Sequence, residues 1–279
     1  PESALDLLVS ERADLATAVP TQVIKMLQDK TVANRDYSSL RVFTNAGAAL
    51  PPDVAADVET TFGCTIQAVY GSTDGGVPVM TRITDPPIKR FTTVGRLLPE
   101  TDLRLVDADL REVSAGEPGE IVFRGPTKTQ GYLNEPERTA EAFVDDGWYR
   151  SGDLGRMDDD GYLSIVGRVK DVIIRGGQNL SPREVEDLIA THPSVSEVGV
   201  VGIPDAVYGE RACACIALRP GHGVELGELN SFLESRDIAK YKLPERLELF
   251  DELPKSAGGK VSKVELRQQV VRRMTDATA

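Results

Sequence analysis

The stretch "CTIQAVYGSTDGG", Cys64 to Gly76, decides the fold. Its opening "CTIQAV" is rich in β-branched residues and reads as a buried strand. Directly behind it, Val69 to Gly76 packs a phenol, two hydroxyls, a carboxylate and three glycines into a short run. The polar cluster therefore falls at the C-terminal end of a strand, the place where open α/β sheets bind ligands. On its own the cluster reads as readily as a Gly-rich turn whose Ser72, Thr73 and Asp74 satisfy their own backbone.

Patterns on either side of this strand settle the class. Before it, "SALDLLVSERA", "PTQVIKMLQD" and "PPDVAADVETTF" carry helical periodicity, and "LRVFTNAGA" reads as a strand running into a loop, so the first 75 residues or so alternate helix and strand and imply a parallel sheet. From about 90 to 175 the pattern changes to short strands such as "TDLRLVD", "GEIVFRG", "GYLSIVG" and "DVIIRGG", with one helix at "EPERTAEAF". A compact βαβ pattern follows. "SPREVEDLIATHP" offers Ser181 as N-cap, Pro182 at the first helical position and Glu184 to complete a capping box, and "SKVELRQQVVRRM" opens with a second box, Ser262 to Glu265. The expectation is an α/β protein. Residues 1–169 form a large domain, part of a mixed or parallel sheet plus a β-rich subdomain, and residues 170–279 form a small α+β domain.

The 279 residues are 41% hydrophobic and 27% charged, the balance of a globular protein. A net charge of -12 without a basic patch argues against nucleic acid as a partner. Three cysteines, two of them alternating in "RACACIAL", give neither a disulfide framework nor metal-ligand spacing and read as small buried hydrophobes in a reducing compartment. Two histidines are too few for a His-based metal centre. No apolar run approaches the roughly 20 residues that span a bilayer, so the expectation is a cytoplasmic protein with no membrane span.

Further along, "WYRSGDLG" places Asp153 in a tight Ser-Gly-Asp turn, where a carboxylate can accept hydrogen bonds from both hydroxyls of a ribose. "GRVKD" offers Arg168 for a sugar or phosphate. "LPKSAGGKVSK" carries Lys255 and Lys260 around a glycine pair, a loop from which an ammonium can reach charge developing on phosphate. Singly, each reads as an ordinary turn residue or solvated charge.

Together and in this order, "VPT", "TNAGAALPPDV", "YGSTDGG", "VGRLLP", "GEIVFRGPTKTQGYLNEPERTAEAF", "WYRSGDLG", "GRVKDVIIRGGQNLSPREVE" and "LPKSAGGKVSK" resemble the adenylate-forming superfamily, the acyl- and aryl-CoA synthetases and adenylation domains. The resemblance covers essentially the whole chain. It implies ATP and AMP, Mg²⁺ and coenzyme A as cofactors, and a small carboxylic acid as substrate. Tyr70 would lie along adenine within a nucleotide cradle of Gly71, Ser72 and Thr73, and Thr73 would bond the AMP phosphate. Asp74 stands where the family carries a metal-holding Glu. Gly47, Ala48 and Ala49 would pass between adenine and the acyl pocket. Asp153 would bind ribose and Arg168 ribose or phosphate. Lys260 would bond carboxylate and α-phosphate during adenylation, Lys170 would be the domain hinge, and Arg175, Gly176 and Gly177 would line the thiol channel. Ala46, Ala48, Ala49, Val77 and Pro78 suggest an apolar floor for an aryl or medium acyl group.

The resemblance also implies a Ser/Thr/Gly-rich phosphate loop ending in Pro-Lys-Gly, and the sequence contains none, nor a GxxxxGK[ST] loop. With Pro1 rather than Met first, the expectation is the C-terminal portion of an AMP-forming acid-CoA ligase. The alternatives are an enzyme that loads a carrier-protein phosphopantetheine, and a nucleotide-binding fragment without complete activity.

Overall fold

A computed structural model describes residues 2–144, 147–256 and 260–276. The chain divides into two compact units, Pro1–Ile165 and Val166–Ala279. In the first, α1 (Glu2–Ser10), β1 (Leu15–Ala18), α2 (Pro20–Leu27), β2 (Val42–Ala46), α3 (Pro52–Phe62) and β3 (Thr65–Ser72) come in order, followed by β4 (Gly76–Met80), α4 (Pro87–Thr92) and β5 (Arg96–Leu97). The five strands form one sheet in sequence order. β1, β2 and β3 run parallel, and β4 and β5 return antiparallel. The sheet is thus mixed, and β1, with only four residues, lay below the length at which alternation is legible.

The helices form where the sequence supplies starts and stops. α3 has prolines in its first turn and ends on Gly63 in the left-handed region, φ 66°, whose N–H closes on Glu59 O at 3.0 Å. It buries Ala55, Val58 and Phe62, and these pack with Phe43, Leu5 and Val23 into one cluster against the sheet. Burying each of the larger side chains, Val, Leu or Phe, contributes about 1.5–3 kcal/mol.

A second sheet contains β6 (Asp102–Val106), β7 (Gly119–Arg124), β9 (Trp148–Met157) and β10 (Leu163–Arg168), in the order β10-β9-β7-β6, with β8 (Phe143–Val144) also paired to β9. The helix α5 (Pro136–Ala142) precedes β8. Tyr70 and Val79 from the first sheet share a core cluster with Ile121, Phe123, Tyr149 and Leu163 from the second.

The second unit holds β11 (Ile173–Arg175), β12 (Gln178–Leu180), α6 (Pro182–Ile189), β13 (Val195–Asp205), β14 (Gly209–Leu218), α7 (Leu226–Glu234), β15 (Arg246–Phe250) and α8 (Lys263–Asp276). Its sheet is mostly antiparallel, order β12-β11-β14-β13, and only β15 runs parallel to β14. The βαβ pattern therefore conceals a long β13–β14 hairpin. Each face of the sheet has its own core, one with α6 and α7, the other with Leu266 and Val270 of α8. The capping box expected at Ser181 is not made: Ser181 Oγ donates to Val166 O, and Glu184 takes the Lys242 ammonium at 2.6 Å. Tertiary partners outbid the local cap.

Candidate active site

β3 carries the polar cluster further than its apolar pattern indicates. Tyr70, Gly71 and Ser72 belong to the strand itself, and Thr73, Asp74 and Gly75 turn the chain back into β4. The ladder slips between Tyr70 and Ser72, where Gly71 leaves no room for a Cβ against the Gly76 carbonyl. Ser72 Oγ accepts from Gly75 N at 2.9 Å and lies 3.3 Å from the Tyr149 hydroxyl. So the turn does satisfy part of its own backbone, while Gly71, Ser72 and Thr73 remain exposed.

Tyr70 is buried and its hydroxyl donates to Asp153 Oδ2 at 2.9 Å. Burial first, and the neighbouring Asp153 charge second, raise the phenol's pKa well above its usual value, so it is a fixed donor. The expected tight turn around Asp153 is not one. Ser151, Gly152 and Asp153 lie within β9 and form a bulge, because Arg150 pairs with Val122 and Leu154 with Glu120, leaving three residues opposite Ile121. Gly152 takes φ 69°, Ser151 Oγ donates to Ile121 O at 2.7 Å, and Asp153 N donates to Ser151 Oγ at 3.1 Å. A bulge re-aims a side chain without ending a strand. Here it turns Asp153 toward Tyr70.

Asp74 is partly buried, and its Oδ2 accepts from the Tyr132 hydroxyl at 2.8 Å, the main cause of a raised Tyr132 pKa. Asp74 O also accepts from Thr129 N at 3.0 Å. Among the described residues no three His, Cys, Asp or Glu side chains group as metal ligands. A single carboxylate is nevertheless the ordinary protein share of a Mg²⁺ site whose other ligands are phosphates and water, so Asp74 fits that role. Gly47, Ala48 and Ala49 follow β2 as an exposed loop, fixed at its root by Asn45 Nδ2 donating to Ala48 O at 2.9 Å.

Of the expected apolar floor, Ala46 ends β2 and Val77 and Pro78 lie in β4; the other predicted residues lie in the second unit. Arg168 ends β10 and Lys170 sits in a short 3₁₀ turn, Val169–Asp171, both exposed. Arg175 ends β11, bound to Glu245 Oε1 by Nε at 2.9 Å and Nη2 at 2.6 Å, with its guanidinium 4.5 Å from the centre of the Tyr208 ring. Gly176 and Gly177 turn the chain into β12, and Gly176 N donates to Tyr208 O at 2.8 Å. Lys260 is exposed at the far side of residues 257–259, which lie outside the described residues, and its carbonyl accepts from Ser256 N at 2.8 Å. Lys255 is held by Glu197 at 2.7 Å and by Glu252 at 3.1 Å.

The structure adds Tyr132, Tyr149, Ser151 and Glu245 to the residues legible in the sequence. Tyr132 stood within "QGYLNEPERTAEAF" without an assigned role.

Two sequence profiles match: AMP-binding enzyme over residues 1–133 and AMP-binding enzyme C-terminal domain over 184–260. The medium-chain fatty-acid–CoA ligase of Escherichia coli is 37% identical over 276 residues, 99% of this chain and 49% of the ligase. The 2,3-dihydroxybenzoate-AMP ligase of Bacillus subtilis is 36% identical over 271 residues, 97% of this chain and 50% of that enzyme. Crystalline ATP-bound MatB from Rhodopseudomonas palustris superposes with a TM-score of 0.88 at 31% identity, over 97% of this chain and 53% of MatB. The chain spans about half the length of the relatives it matches.

Proposed function

Because the chain belongs to the adenylate-forming family of AMP-binding enzymes, we propose that it supplies the AMP-binding and mobile C-terminal parts of an AMP-forming acid-CoA ligase. The observation that carries this reading is the pairing of Tyr70 with Asp153 at the exposed end of β3, 83 residues apart in sequence. A carboxylate so fixed offers a hydrogen-bond acceptor to ribose hydroxyls beside an aromatic ring that adjoins the base.

In this reading a carboxylate attacks the α-phosphorus of ATP and expels pyrophosphate, and a thiol then attacks the acyl carbon and releases AMP. Tyr70 and Asp153 hold the nucleoside, with Gly47, Ala48, Ala49, Gly71 and Ser72 letting backbone approach it. Thr73 donates to the phosphate and Arg168 holds ribose or phosphate. Asp74 holds Mg²⁺, which when bound neutralises charge on the phosphates. Lys260 stabilises the charge that develops during adenylation, and the gain comes from preorganised positioning. Lys170 is the hinge between half-reactions, and Arg175, Gly176 and Gly177 admit the pantetheine arm. Residues 1–169 and 170–279 act as the two working domains. Three free, buried thiols suit a cytoplasmic enzyme.

A second reading, loading of a carrier-protein phosphopantetheine, is supported by the B. subtilis relative, whose name stops at the AMP ligase step. Incubating the full-length protein with ATP, Mg²⁺ and a panel of aryl and medium-chain acids should release pyrophosphate with at least one acid. CoA should then be consumed. Consumption of carrier protein but not CoA would favour the second reading, and no acid-dependent pyrophosphate release would overturn both.

A further inference from the structure

The run "QGYLNEPERTAEAF", residues 130–143, has no assigned part in the nucleotide site, yet one of its side chains reaches an atom of that site and others hold it in place. The Tyr132 hydroxyl reaches Asp74 Oδ2 at 2.8 Å across 58 residues of sequence. Its ring is fixed on several sides. Tyr132 N donates to Thr139 Oγ1 at 2.9 Å, and that hydroxyl donates in turn to Glu135 O at 2.8 Å. The Arg138 guanidinium lies 4.1 Å from the ring centroid and pairs with Glu135 at 3.1 Å. The Phe143 ring stands 6.5 Å away. From the other direction, Thr129 N holds the Asp74 carbonyl at 3.0 Å, and Gly76 permits the backbone at Thr127 to approach too closely for any Cβ.

We propose that Tyr132 is the positioning residue for Asp74, holding one carboxylate oxygen so that the other is presented to the divalent cation that accompanies the nucleotide phosphates. The inference rests on the reading of this site as an AMP-forming one. Its physical basis is the reach of the side chain. Aspartate has one methylene fewer than glutamate, and a short carboxylate on a turn can meet a cation only in the orientation its neighbours impose. Groups that orient a metal ligand commonly contribute 10- to 100-fold to metal affinity. A phenol also donates only one hydrogen bond, so it occupies one oxygen and leaves the second to the cation.

The test is a Mn²⁺ titration followed by electron paramagnetic resonance on the full-length protein with ATP bound, beside calorimetry of AMP binding in EDTA. Tyr132→Phe keeps the ring against Arg138 and Phe143 and removes only the hydroxyl. The expected result is Mn²⁺ affinity about tenfold weaker, with metal-free AMP affinity unchanged within about twofold. In an Asp74→Glu background the longer side chain extends past the hydroxyl, and Tyr132→Phe should there cost less than about threefold. Unchanged Mn²⁺ affinity, or an equal loss in both backgrounds, would overturn the positioning role while leaving the nucleotide site standing. Failure of the unsubstituted protein to bind AMP in EDTA would overturn the site reading itself, and the positioning role with it.

Discussion

Asp153 and Asp85 show how one residue type does two jobs in this chain. Asp153 sits in the β9 bulge with Tyr70 of β3 as its hydroxyl donor. Asp85 is almost fully buried and structural: it accepts from Arg82 N at 2.7 Å, Arg96 Nη2 at 2.8 Å and the Tyr162 hydroxyl at 2.9 Å. Burial alone would raise its pKa, but these donors and the Arg96 charge outweigh it and hold the carboxyl below its ordinary 3.8. A carboxyl with a depressed folded pKa adds stability that is present above the unfolded value and lost as pH falls through the folded one. Asp85→Asn should therefore flatten the loss of stability below about pH 4, measured by urea denaturation across pH 2–7. Asp85→Ala, which leaves the Tyr162 hydroxyl and the Arg82 amide without their acceptor, should cost about 1–3 kcal/mol at pH 7. The thiols give a second residue-scale expectation. Burial pushes Cys64 up to about 11, and Cys215 is raised by its contact with Cys213, 3.9 Å away, and by burial. A disulfide-exchange reagent at pH 8 should label none of the three until the protein unfolds. Rapid native-state labelling would show that one of them is accessible.

Elements show where sequence reading succeeds and where it stops. Most helices and strands were legible, because periodicity and prolines mark them: α3 carries its prolines and Gly63, and β13 and β14 are apolar runs. What stayed hidden depends on partners distant in sequence. Ser181 has cap chemistry, yet its hydroxyl is taken by Val166 O. Ser-Gly-Asp has turn chemistry, yet pairing of β9 with β7 on both flanks makes it a bulge. Tyr70 and Asp74 were legible as site residues, whereas Tyr132 was not, since nothing local says where a phenol donates. The bulge can be tested by conformation alone. A Cβ on Gly152 would meet nothing within 4 Å, so Gly152→Ala acts only through its φ of 69° and should cost about 1–2 kcal/mol, read from the urea midpoint. A neutral result would place the bulge elsewhere. The hinge proposal has its own test. Proline disfavours helical φ/ψ in the residue before it, and Val169 opens the 3₁₀ turn, so Lys170→Pro should break that turn. Stopped-flow traces of the full-length protein should show one half-reaction slowed far more than the other, and two unchanged steps would count against a hinge there.

For the whole molecule, the two units carry separate cores. The sheet of the second unit is covered on both faces by its own helices, Leu229 and Leu233 on one side and Leu266 and Val270 on the other. Residues 166–279 expressed alone should therefore unfold cooperatively in a thermal melt, and a broad, non-cooperative trace would contradict that. The first unit holds Tyr70, Asp74, Tyr132 and Asp153, so the nucleoside part of the proposed function rests on it. Calorimetric titration of AMP into the full-length protein and its Asp153→Ala variant tests the central claim most directly. Asp153 is to accept from ribose hydroxyls, and hydrogen bonds to a charged group are worth about 1.5–3 kcal/mol each, so the account predicts AMP binding weakened at least about tenfold, measured at a temperature where both proteins are folded. AMP affinity equal in the two proteins would contradict it.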